Sequence, residues 1–98
     1  MRESPIVAKA RDVVSRHELP DFIVGFEVRL GDFDGDPAMW IVLRTAPGPT
    51  TWGPELERQV EAIRIVKDAI RPDLLEAFDD RYPYFRVEEK RNLQPAAD

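Results

Sequence analysis

The stretch from Phe22 to Thr45 constrains this chain most. It reads FIVGFEVRL, then GDFDGDP, then AMWIVLRT. Two apolar runs flank a short acidic loop that holds Asp34-Gly35, a common turn dipeptide, so the stretch is read as a β-hairpin. In the first run Phe22, Val24, Phe26, Val28 and Leu30 share one face, assigned to the core. Ile23, Gly25, Glu27 and Arg29 share the other. The second run divides less cleanly, with Met39, Ile41 and Leu43 on one side and Trp40, Val42 and Arg44 on the other. Apolar residues on both sides point to a central strand, or to a face covered by a partner.

The flanking segments supply helices. Ser4-Pro5 is a helix start, a serine cap followed by proline at the first helical position. Ile6, Ala10, Val13 and His17 then form a stripe with Val7 and Val14 beside it, and Leu19-Pro20-Asp21 ends the helix. Ala46 to Pro54 reads APGPTTWGP; its three prolines and two glycines exclude regular structure and predict a fixed-shape loop carrying Trp52. A second helix opens at Gly53-Pro54-Glu55, with Leu56, Val60, Ile63, Val66 and Ile70 as its buried stripe and Ile65 nearly opposite. Arg71-Pro72 is expected to break or kink that helix, and Pro72 to start a short third one. Tyr84 to Glu88 is the third strand, and the polar tail over 92–98 is expected to fray.

The predicted order is α-β-β-α(α)-β in an α+β, two-layer sandwich: a three-stranded sheet with its helices on one face. At 98 residues the chain is read as one domain, 1–98. No cysteine is present, which excludes disulfides, thiolate metal sites and cysteine nucleophiles and fits a cytoplasmic location. The apolar runs are too short to span a bilayer. Arginine outnumbers lysine 11 to 3, a bacterial-like composition.

Few residues suggest chemistry. Asp32, Asp34 and Asp36 alternate as calcium-loop ligands do, but Pro37 stands where an EF-hand loop needs glycine and Leu43 where it needs a bidentate glutamate. Turn chemistry explains them better, and they stay weak metal candidates. His17 is the only histidine, and Ser15 lies on the opposite side of its helix, so the two make no nucleophile–base pair. No GxSxG, P-loop or GxGxxG occurs, no catalytic set forms, and no cofactor is implied. Trp52 is read first as a cap on the edge of the core, and second as an anchor for a partner.

Arg58, Arg64, Lys67, Arg71, Arg81 and Arg86 would make a basic face if they gathered, although the net charge of −5 and the interleaved Glu57, Glu61 and Asp68 argue against a nucleic-acid partner. The element order is similar to that of type II KH-like domains. That resemblance rests on order alone: the phosphate-clamping GxxG is absent, and Arg71-Pro72 occupies the break between helices.

The function expected is association, as a non-enzymatic domain that pairs with a second copy or another protein through the sheet face left without helices. The interface residues expected are Trp40, Val42, Ile23, Ile65 and Trp52. The alternatives are a KH-like RNA-binding module, and a ligand-binding or enzymatic domain with a pocket near the 46–54 loop.

Overall fold

A computed structural model describes residues 4–48 and 51–89. Its elements are α1 (Pro5–Ser15), β1 (Ile23–Phe33), β2 (Asp36–Thr45), α2 (Pro54–Ala77) and β3 (Tyr82–Glu89), an α+β fold in the expected order. The tail expected to fray, 92–98, lies outside the described residues, as do residues 49–50 of the proline-rich loop.

The first helix begins as its sequence dictates. The Ser4 hydroxyl accepts from the Ile6 N–H at 3.2 Å, and Pro5 occupies the first turn. Ala10, Val13 and Val14 are buried, and the Arg16 and His17 N–H groups donate back to the Val13 and Val14 carbonyls at 3.2 and 3.1 Å.

β1 and β2 pair antiparallel around a turn of two residues, Asp34 and Gly35, with φ of 55° and 89°. Positive φ at both central positions is the twist that lets two strands leave a tight hairpin, and Asp-Gly tolerates it. The ladder therefore reaches Phe33 and Asp36, further than the sequence alone suggested. β3 pairs with β2 in parallel, giving the sheet order β1-β2-β3 with the doubly apolar strand in the middle. Pro83 sits in β3 without harm because β3 is an edge strand and leaves one row of N–H groups unpaired.

Three expectations need correction. First, the register shifts between Ile23 and Gly25, so Ile23 faces Thr45 while Gly25 faces Arg44. This bulge inserts Val24 as an extra residue and turns Ile23 to the helix side, while Phe22 still packs against the core. Ile23 is thus a core residue at 7% exposure, while Val24, assigned to the core from alternation, is 51% exposed. Second, Pro72 neither breaks α2 nor starts another helix; α2 runs unbroken for 24 residues. An interior proline costs about 3 kcal/mol. Fully burying Leu74, one turn's remainder beyond it, returns about 1.5–3 kcal/mol, and Phe78 is buried just after the helix end. Third, the apolar stripe of α2 is fully buried only in its second half, at Val66, Ile70 and Leu74; Val60 is 49% exposed.

Both helices pack on one face of the sheet. Ala10, Val13 and Val14 from α1 and Val66, Ile70 and Leu74 from α2 meet Val28, Met39, Ile41 and Leu43 in one core, with Ile23 and Phe78 at its margin. At the α1–α2 seam Lys9 Nζ donates to the Ala77 carbonyl at 3.3 Å, and His17 Nε2 lies 2.7 Å from Asp73 Oδ2.

Candidate functional site: the open sheet face

The face without helices carries Glu27, Arg29, Gly31 and Phe33 from β1, Ala38, Trp40, Val42 and Arg44 from β2, and Tyr82, Tyr84, Arg86 and Glu88 from β3. Register aligns them in rows: Gly31–Ala38–Tyr82, Arg29–Trp40–Tyr84 and Glu27–Val42–Arg86. The rows sort into an aromatic end and a charged end.

At the aromatic end Tyr84 is the hub. Its ring centroid lies 4.9 Å from Phe33, 4.9 Å from Tyr82 and 5.9 Å from Trp40. Gly31 makes this packing possible, because a Cβ there would come within 3.0 Å of Trp40 Cζ3. The indole therefore lies over bare backbone. Ala38 is the other small residue beneath the cluster and is fully buried. Phe33 and Tyr82 remain 53% and 44% exposed, so the outer members of the cluster are half open to solvent.

At the charged end two carboxylates and three guanidinium groups alternate across the strands. Arg29 donates to Glu27 at 3.1 Å, and Arg44 donates to the same carboxylate. Glu88 lies 3.5 Å from Arg44, 3.5 Å from Arg86 and 3.9 Å from Arg29. The hydrogen bonds from Arg29, then those from Arg44, hold the Glu27 carboxyl below the ordinary glutamate range, and Glu27 in turn raises Arg29. Individually such half-exposed pairs are worth little. Collectively they hold long side chains over Val42, which stands between Glu27 and Arg86 and is completely buried.

The five interface residues expected from sequence therefore do not share one surface. Trp40 lies partly covered within the aromatic cluster, while Val42 is on the same face but roofed by its neighbours. Ile23 is on the helix side, inside the core. Ile65 is 55% exposed on α2, and Trp52 is 67% exposed at the head of α2, its Nε1 donating to Glu57 Oε2 at 3.2 Å. The reading of Trp52 as a cap on the core is thus wrong. Phe33, Tyr82 and Tyr84 complete the open sheet face, and period two places Tyr82 and Tyr84 on the face opposite Phe85.

The aspartates of the turn are held apart. Ladder alternation sends Asp32, paired with Pro37, to the helix side and Asp36, paired with Phe33, to the open side. Among the described residues no three acidic or histidine side chains converge on a point that could hold a metal. The six basic residues also scatter. Arg64 is paired with Glu61 and Asp68, Arg71 stacks 5.2 Å over Phe85, Arg81 Nη1 donates to the Ala38 carbonyl at 2.9 Å, and Arg86 is on the open face beside Glu88. Among the described residues no helix is long and apolar enough to cross a membrane.

No protein-family model matches this chain, and no curated protein matches it. Two solved structures are similar in outline, both variants of the MamM CTD and the first a copper form. Each is 15% identical and is matched over 88% of this chain, and over 90% and 89% of its own length, with TM-scores of 0.46 and 0.45.

Proposed function

We propose that this protein works by association, and that its partner on the open sheet face is a second copy of itself. The observation carrying this reading is the polarity of that face. Its aromatic end adjoins the acidic turn with Asp34 and Asp36, while its far end holds three arginines against two glutamates. Two such faces packed with their ends reversed set each acidic turn against the other's arginine excess, the self-complementarity that a two-fold contact requires. Half-exposed Phe33 and Tyr82 are then the anchors, since aromatic and arginine side chains dominate the energetics of contact surfaces. The sheets would stack about 10 Å apart, the usual face-to-face spacing.

Size-exclusion chromatography with light scattering tests this. The expected mass at micromolar concentration is twice that of the 11.3 kDa chain. Tyr82→Glu, which alters a side chain already 44% exposed, returns the protein to a folded monomer by circular dichroism. Added salt weakens the dimer by screening the end-to-end charge contacts. A wild-type monomer, or a dimer indifferent to Tyr82→Glu, overturns the proposal.

A further inference from the structure

The helix side of the molecule holds a groove of about 510 Å³ that the association reading does not use. It lies beneath the first half of α2, at the carboxyl ends of β2 and β3. Leu56, Val60 and Ile63 wall it from the helix and Val87 from the sheet. Its size falls within the range of small-molecule sites, and its walls are apolar as such sites are.

The charges at its rim narrow the ligand. Arg64 is already engaged by Glu61 and Asp68, and Glu89 accepts from the Gly48 N–H at 3.0 Å. Lys67 is different: it lines the groove on the same helical stripe as Val60 and Ile63, and it has no hydrogen-bond or ion-pair partner among the described residues. Apolar walls with one ammonium at the edge that has no partner among the described residues complement a molecule with an apolar body and one anionic group. We infer that this groove binds an apolar monocarboxylate, its hydrocarbon against Leu56, Val60, Ile63 and Val87 and its carboxylate on Lys67 Nζ. The Val60 and Val87 side chains, 49% and 44% exposed, are then covered when the ligand is bound.

The test is a nuclear magnetic resonance titration of the full chain with decanoate, and in parallel with decanol, which has the same body without the charge. Saturable shifts are expected at Gly48, Leu56, Val60, Ile63 and Val87, with decanoate bound about tenfold more tightly than decanol, the worth of one charge-assisted hydrogen bond. Lys67→Gln removes that tenfold preference and leaves decanol binding unchanged. Val60→Asp, at a half-exposed position, abolishes the binding of both. The inference is overturned if neither compound saturates at millimolar concentration, if the shifts centre on Trp40 and Tyr84, or if Lys67→Gln weakens both compounds equally or neither. It is equally overturned if Val60→Asp changes the protein's mass and decanoate does not bind, because the groove would then be filled by another copy. Shifts confined to the groove are read independently of the open sheet face, so either proposal can fail alone.

Discussion

Tyr84 is predicted to carry the aromatic end of the open face. It makes all three ring contacts there, to Phe33, Trp40 and Tyr82, whereas Phe33 makes one of them. An aromatic pair is worth about 0.5–1.5 kcal/mol beyond simple area burial. Three pairs give about 1.5–4.5 kcal/mol, reduced to about 1–2 kcal/mol by partial exposure, and the apolar area lost adds about 1 kcal/mol, so Tyr84→Ala is expected to cost about 2–3 kcal/mol. Phe33→Ala loses one pair, about 0.5–1.5 kcal/mol. Urea denaturation measures both, in high salt and at low protein concentration so that folding is not coupled to association. A Trp52→Phe background leaves Trp40 as the only tryptophan reporter. The double variant then isolates the pair: Phe33→Ala should cost about 0.5–1.5 kcal/mol less when Tyr84 is already alanine. If Phe33→Ala costs the same in both backgrounds, the rings are neighbours without coupling. The cluster is then no preformed anchor, and Phe33 and Tyr82 lose the anchoring role given to them on this face.

Two further outcomes follow from the geometry. Ile23→Ala should cost about 2–4 kcal/mol as a buried large-to-small change, and Val24→Ala no more than about 0.5 kcal/mol; the reverse order, by the same urea assay, would mean that β1 has no bulge. Glu27 has a folded-state pKa depressed by its arginines, so its contribution is present above the ordinary glutamate value and lost as pH falls through the depressed one. Urea midpoints followed into acid should therefore fall less steeply for Glu27→Gln than for the wild type, and identical slopes would show the network to be screened out by solvent.

The parts of the fold that could be read directly are those determined by short-range chemistry. Ser4-Pro5 starts a helix wherever it stands, and Asp34-Gly35 turns a hairpin whatever packs on it. The bulge escaped because counting by two assumes that no residue is inserted, and Val24 looks as fit for the core as Ile23. Trp52 was misplaced because its residue type argues for burial, whereas its place at the head of α2 leaves it in solvent with Glu57 as partner.

Local patterning by itself determined the class, the element order and the central position of β2, because alternation and helical spacing respond to the apolar face each segment must bury. Only the tertiary structure decided what became of the surfaces left over. Glu27, Arg44 and Glu88 meet because the sheet brings three separate strands together, and their ion pairs cover Val42, which by sequence looked open. Pro72 stays helical because the core beyond it holds Leu74. α2 leaves Val60 uncovered over a groove because its buried anchors all lie in its second half. In each case the deciding energy comes from residues far apart in the chain, which no local spacing contains.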